Sequence, residues 1–202
     1  MFNHSPETNC GMLYIISAPS GAGKTSLVKA LLEETDFIEV SVSYTTRAQR
    51  PGEREGVDYH YVQQETFKQM IADGQFIEHA EVFGNFYGTS KMKIREKLKA
   101  GIDIILEIDW KGAQQVKEQF EYCTMVFILP PSRHELLSRL KERGQDADEV
   151  INNRMNEAIE QLSHYKEFEY LIVLIYFLMR LGIKSIDLCL SIASDNTMPT
   201  SP

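Results

Sequence analysis

The chain has 202 residues, 43% of them hydrophobic, with 29 acidic against 21 basic side chains and a formal net charge of −8. That is enough apolar material for one full core of ordinary size, and the acid excess argues against a nucleic-acid surface, which is normally basic. The three cysteines, Cys10, Cys123 and Cys189, are far apart and lack C-x-x-C spacing, so they point to a reducing compartment and to no metal cluster.

Residues 1–10 lack the apolar stretch of a secretory signal and are expected to be a disordered lead-in to a domain over 11–173. Leu13-Tyr14-Ile15-Ile16 reads as a short buried strand. It runs into Ser17-Ala18-Pro19-Ser20-Gly21-Ala22-Gly23-Lys24-Thr25, and then into a stretch with helical spacing of apolar residues. Strand, glycine-rich turn and helix together are the context of a phosphate-binding P-loop. The turn lets backbone N–H groups converge on an anion, and the helix N-terminus adds further donors and a favourable dipole. Lys24 can reach the β- and γ-phosphates of ATP, and the Thr25 hydroxyl can join phosphates and water around Mg²⁺. The general pattern has glycine where this chain has Ala18; Gly21, Gly23, Lys24 and Thr25 are in place. Ala18, Pro19, Ser20, Gly21, Ala22, Gly23, Lys24 and Thr25 are therefore the candidate ATP-binding residues.

Residues 38–43 alternate in polarity, as a strand does. Pro51-Gly52 marks a turn. Arg47 and Arg50 lie three apart on a loop with no apolar pattern to hide them. Residues 59–62 read as a short strand, 65–73 as a helix ended by Gly74, 76–83 as an extended segment, and 84–89 as its return. Together 43–90 read as an insertion outside the main sheet. A lysine-rich helix over 90–100 precedes 102–109, whose nearly continuous apolar character fits a central parallel strand. It puts Glu107 and Asp109 at the carboxyl edge, where ligands bind in open α/β folds. A helix follows over 110–120, then a buried strand over 124–129 stopped by Pro130-Pro131. Ser132 with Glu135, and Asp146 with Glu149, form capping-box pairs. They open a helix carrying Arg133, Arg139 and Arg143, broken at Gly144, and a longer one carrying Arg154. Residues 170–173 read as the last core strand. The expected architecture is α/β: a P-loop-type parallel sheet flanked by helices (11–42, 91–129 and 156–173), a small acceptor-binding insertion (43–90) and a helical lid (130–155).

Phosphoryl transfer asks mainly for positioning and neutralisation. Arg139 and Arg143, four apart on one helix face, can point at one place. An arginine so placed is worth roughly 10³ to 10⁵ in rate, and the Gly144 break suits a lid that closes over ATP. Arg133 reads as solvated. If Arg47 and Arg50 form a clamp, the acceptor carries a phosphate, because guanidinium forks match phosphate oxygens; Tyr59 and Tyr87 can add hydroxyl donors. Glu78 is a carboxylate in an apolar and aromatic run. It can accept the parallel N1–H and N2–H bonds of guanine, which adenine does not offer, and a mispaired buried polar group costs roughly 1–3 kcal/mol. Taken alone, Glu78 reads as the solvent-facing residue of an amphipathic strand.

From about residue 13 to 173 the chain resembles the guanylate kinases, which convert ATP and GMP to ADP and GDP. The resemblance rests on the P-loop run above, on Ser43-Tyr44-Thr45-Thr46-Arg47 with Arg50-Pro51-Gly52-Glu53, and on Gly84-Asn85-Phe86-Tyr87-Gly88-Thr89. It rests also on Leu106-Glu107-Ile108-Asp109-Trp110-Lys111-Gly112-Ala113 and on Ile128-Leu129-Pro130-Pro131-Ser132. It implies that Arg47, Arg50, Tyr59 and Tyr87 hold the GMP phosphate and that Ser43, Glu78, Thr89 and Asp109 read the guanine. It implies that Arg139, Arg143 and Arg154 belong to the lid and act with Lys24 in catalysis. Mg²⁺–ATP is the implied donor, in a cytoplasmic enzyme of purine nucleotide metabolism without nucleic-acid or membrane partners. Thr89 and Glu107 stand where some relatives have serine and aspartate.

Two alternatives bear on this. A non-catalytic guanylate-kinase-like binding module keeps the fold but usually loses the P-loop lysine or the lid arginines, and both are kept here. A kinase of another small phosphorylated acceptor leaves Glu78 without a partner. Beyond residue 173 the resemblance ends. The family normally continues Asn-Asp-Asp and then an arginine-rich helix; this chain reads Leu174-Ile175-Tyr176-Phe177-Leu178-Met179-Arg180. Residues 174–202 are read as a divergent or frame-shifted end, too short in its apolar run for a membrane span. That end is expected to weaken stability and ATP binding.

Overall fold

Short, largely apolar runs form the strands over 13–17, 103–107 and 124–129. A computed structural model describes residues 10–82, 84–142 and 148–174. The chain runs through β1 (Leu13–Ser17), α1 (Lys24–Glu34), β2 (Ile38–Val40), β3 (Tyr44–Thr45), β4 (His60–Tyr61), α2 (Gln64–Ala72), β5 (Phe76–Val82) and β6 (Asn85–Ser90). It continues through α3 (Lys91–Lys99), β7 (Asp103–Glu107), α4 (Trp110–Gln119), β8 (Thr124–Leu129), α5 (Arg133–Glu142), α6 (Asp148–Ser163) and β9 (Tyr170–Val173). The fold is α/β, with parallel strands flanked by helices. It falls into two compact units: one takes in the residues up to Ser17 with Thr25–Met125, the other Ala18–Lys24 with Val126 onward.

In the first unit β7 lies between β1 and β2, parallel to both, with Ile16 opposite Glu107 and Val40 opposite Ile105. Ile104, Ile105 and Leu106 are buried in succession, as a strand covered on both faces requires. This strand is shorter than the 102–109 expected. Asp109 instead caps α4, its Oδ1 accepting from the Gly112 N–H at 2.8 Å, and aspartate is among the best N-cap residues. The strand expected over 38–43 likewise narrows to β2, although Ser41 N–H still reaches the Ile105 carbonyl. The four strands within 44–90 make a separate sheet in the order β4-β3-β6-β5. β6 is antiparallel to β3 and β5, whereas β3 and β4 run parallel, so 46–59 is a crossover. Phe67 is fully buried and stacks on Phe76 and Phe86 at centroid distances of 4.5 and 5.6 Å. Gly88 admits this packing: a Cβ there would lie 3.0 Å from both the Phe67 and Phe76 rings.

In the second unit β8 and β9 pair in parallel, Val126 opposite Tyr170 and Leu129 opposite Val173. Phe127 meets Phe168 edge-on at 4.9 Å. α5 and α6 pack through Leu136, Leu140, Ile151, Met155 and Ala158. α6 is one helix through residues 155 and 156, so no break marks the lid boundary drawn there from sequence. The lead-in up to Asn9, Arg143 with Gly144 and Asp146, and the tail from Ile175 lie outside the described residues. None of the described helices is long and apolar enough to cross a membrane.

Candidate active site

The loop that follows β1 has the conformation its glycines allow. Gly21 and Gly23 take φ of +87° and +98°, a region costly for residues with a Cβ. Ala22 N–H closes a turn on the Pro19 carbonyl at 3.1 Å, and Ala18, Pro19 and Ala22 are buried while Ser20 is exposed. Lys24 begins α1, and Thr25 is exposed beside it. The first turn of α1 carries no acidic side chain, so nothing there opposes an anion at the helix end.

Arg139 lies against this loop. Its Nη1 donates to the Ala22 carbonyl at 3.3 Å, and its Nε donates to Glu135 Oε1 at 3.0 Å. Glu135 is one helical turn earlier, so the ion pair aims the guanidinium along α5. Ser132 caps the helix as expected, its Oγ accepting from the Glu135 N–H at 3.1 Å. Arg133 is exposed and Arg154 is half-buried on α6. Of the three arginines read as a lid, the structure thus places Arg139 at the loop and Arg154 on the next helix; Arg143 is outside the described residues.

The first unit holds the other constellation. Glu78 on β5 is only 5% exposed, so it is not the solvent-facing residue of an amphipathic strand. Phe76, Ile77 and Glu78 are buried in succession, so both faces of β5 are covered here. Phe76 pairs with Ser90 and Glu78 with Thr89, leaving Ile77 as an extra residue, and this bulge turns Phe76 and Glu78 to opposite faces. Thr89 Oγ1 donates to Glu78 Oε1 at 2.5 Å, and Ser43 Oγ lies 3.1 Å from Thr89 Oγ1. With the Thr89 proton spent on Glu78, Ser43 is the donor to Thr89, and the three form a relay ending on the carboxylate. Burial pushes the Glu78 carboxyl up to about 7; the Thr89 hydrogen bond counters this, and the nearby Asp109 carboxylate adds to it. Gly112 leaves room for Glu78: a Cβ there would sit 3.2 Å from Oε2.

Tyr87 and Thr89 are two apart on β6, and so share a sheet face. On the Tyr87 side stand Tyr59, edge-on to Tyr87 at 5.9 Å, and Arg47, whose guanidinium lies 5.4 Å above the Tyr59 ring. Arg47 is not the unpartnered loop cation that the sequence presents. Its Nη2 donates to Glu53 Oε1 at 2.7 Å, and this ion pair raises its pKa. Glu53 organises the whole turn. Its Oε2 accepts from Arg50 N–H at 2.8 Å and from Tyr61 OH at 2.7 Å. These bonds hold its carboxyl down at about 2, the Arg47 bond foremost. Arg50 is exposed, and its backbone N–H ties it to the cluster. Burial raises the Tyr59 phenol above its usual value, so it stays a neutral donor.

The structure therefore gathers Ser43, Thr89, Glu78 and Asp109 at one spot and Arg47, Tyr59 and Tyr87 at another. Sequence reading missed Glu53 as their counter-ion. Its only signal was its place just after the Pro51-Gly52 turn, within reach of both arginines. Glu107 was noted at the strand end without a role; its Oε1 is buried and makes no hydrogen bond to the described residues.

The guanylate kinase family model matches residues 11–174. The chain belongs to the guanylate kinase family. A guanylate kinase of Alkalilimnicola ehrlichii is 57% identical over 163 residues, 81% of this chain and 80% of that one. One of Saccharophagus degradans is 59% identical over 166 residues, 82% of this chain and 81% of that one. The crystal structure of guanylate kinase from Anaplasma phagocytophilum superposes with a TM-score of 0.63 at 36% identity, covering 82% of this chain and 78% of that one. The family match ends at Leu174, where the divergent run begins.

Proposed function

We propose that this family member transfers the terminal phosphoryl group of ATP to the phosphate of GMP, yielding ADP and GDP. The observation that carries this is Glu78, a buried carboxylate with a hydroxyl relay on one side and room left by Gly112 on the other. Guanine offers N1–H and N2–H side by side, and a carboxylate accepts both. Asp109, held as the cap of α4, and Ser43 through Thr89 fix the remaining polar surroundings. A neutral Tyr59, Tyr87 and the Glu53-braced Arg47 supply the donors that a GMP phosphate needs, and Arg50, exposed on the same turn, is a second guanidinium for it.

On the other substrate, the loop from Ala18 to Thr25 takes the ATP phosphates on its backbone N–H groups, and Lys24 adds its ammonium. An oxygen of the GMP phosphate attacks the γ-phosphorus, the bond from that phosphorus to the β,γ-bridging oxygen breaks, and the electron pair leaves with ADP. The chain forms no covalent intermediate. Arg139, with Arg143 and Arg154, neutralises charge on the transferred group. A Mg²⁺ ion fits the donors present: the Thr25 hydroxyl and the Glu107 carboxylate are hard oxygen ligands, and the buried Glu107 Oε1 has no other partner among the described residues. Held there, such an ion would supply neutralisation of phosphate charge.

The test is ADP release by the purified chain with Mg²⁺–ATP and, in turn, GMP, AMP, CMP and ribose phosphates. Release that depends on GMP, at least a hundredfold over AMP in kcat/KM, is expected. Equal release with all acceptors, or none that depends on an acceptor, refutes the reading.

A further inference from the structure

β5 is the outer strand of its sheet, so one edge is paired with β6 and the other needs partners. Helix α4 supplies them through side chains. Gln115 Oε1 accepts from the His79 N–H at 3.0 Å while Gln115 Nε2 donates to the His79 carbonyl at 3.1 Å. One carboxamide thus reproduces the pair of hydrogen bonds that a neighbouring strand would make. One turn later, Gln119 Nε2 donates to the Ile77 carbonyl at 2.6 Å. Ile77 and His79 are the residues on either side of Glu78. Ile77 is also the bulged residue, so the ladder to β6 is interrupted where Glu78 is turned toward Thr89. The same helix begins at Asp109 and brings Gly112 against the Glu78 carboxylate.

We infer that Gln115 is a positioning residue for base recognition. By pairing with both backbone groups of His79, it sets the direction in which the Glu78 carboxylate points. The inference rests on the reading of Glu78 as the guanine acceptor. Two parallel hydrogen bonds demand a carboxylate held within a narrow range of angles, whereas one bond tolerates a tilt. Inosine monophosphate separates the two cases: hypoxanthine keeps N1–H and lacks the N2 amine. A tilted Glu78 loses the second bond to GMP and loses little with inosine monophosphate.

The experiment is steady-state kinetics of Gln115→Leu with GMP, inosine monophosphate and ATP, at a temperature where a melting scan shows the variant folded. The expected result is a GMP KM raised about tenfold, a kcat and an ATP KM within twofold of the parent, and a GMP-over-inosine preference reduced about fivefold. A lower melting temperature with GMP KM and preference unchanged overturns the inference, leaving Gln115 as edge cover only. If Gln115→Leu does not fold, Gln115→Glu carries the test at pH 8. That variant keeps the acceptor for the His79 N–H and loses the donor to its carbonyl; a several-fold rise in GMP KM at constant ATP KM supports the inference, and no rise overturns it. Glu78→Gln, run in parallel, separates the two levels. If it leaves the GMP-over-inosine preference intact, the reading of Glu78 itself fails, whatever Gln115 does.

Discussion

Replacing Glu78 by glutamine preserves shape and removes the charge. The amide keeps one acceptor oxygen for the Thr89 hydroxyl or for guanine, and turns an NH₂ donor on the base's own donors. A hydrogen bond to a charged group is worth about 1.5–3 kcal/mol, and about 1.4 kcal/mol is tenfold. The kcat/KM for GMP should therefore fall roughly 10- to 150-fold, with no comparable loss for AMP. The titration of Glu78 gives a second readout. With its carboxyl at about 7, about a tenth of the free protein is in the accepting form at pH 6 and about nine-tenths at pH 8. GMP KM should therefore rise about tenfold from pH 8 to pH 6 in the parent, and Glu78→Gln should abolish that slope. Stability should move the other way. The folded-state pKa is raised, so protonation favours the folded chain, and that contribution is complete below the unfolded value of 4.5 and lost as pH rises through about 7. The displacement corresponds to about 3 kcal/mol at full ionisation, so the variant should melt several degrees higher than the parent at pH 8, with the gap closing toward pH 4.5. Stopped assays with GMP and AMP across pH 6–8, and melting scans over pH 4.5–8, measure all three. Undiminished GMP preference in the variant, or a slope that survives the substitution, refutes the reasoning.

Glu53→Gln should raise GMP KM about tenfold and leave ATP KM unchanged, because it loosens Arg47 and Tyr61 together; the ratio of variant to parent KM should be the same at pH 6 and pH 8, since Glu53 stays ionised down to about 2 and adds no pH dependence of its own there. Arg139→Lys should lower kcat by about 10³ with GMP KM held, since an ammonium replaces a fork that also reaches the Ala22 carbonyl; single-turnover kinetics check it. Phe67→Ala removes the fully buried ring between Phe76 and Phe86 and should cost about 3–5 kcal/mol, read by urea denaturation.

What could be read ahead of the structure was what carries a local signal. The strand over 124–129 appears as β8 to the residue, because an apolar run stopped by two prolines leaves little freedom. The loop from Ala18 to Thr25 was legible because its glycines, lysine and threonine are tied to one another by spacing. The bulge at Ile77 was not, since one extra residue in a strand has no periodic mark, and it decides which face of the sheet Glu78 takes. Nor was the bracing of Arg47 by Glu53, or of His79 by Gln115, because each is a hydrogen bond across a turn or between elements rather than a pattern along the chain. Asp109 was placed at a strand end and proved to be a helix cap, a choice between two roles that one aspartate serves equally well.

The parallel pairing of β3 with β4 has a consequence for how this protein can change. Two strands that point the same way cannot be joined by a tight hairpin; the connection must travel back the length of the pair. Here that return path is 46–59, the stretch that bears Arg47, Arg50 and Glu53. Trimming it would forfeit the strand partnership before it altered any charge, while lengthening it at the exposed Gly56 end would leave the partnership whole. The minimum size of the segment that bears Arg47, Arg50 and Glu53 is thus dictated by topology, and chemistry is free to vary only above that floor.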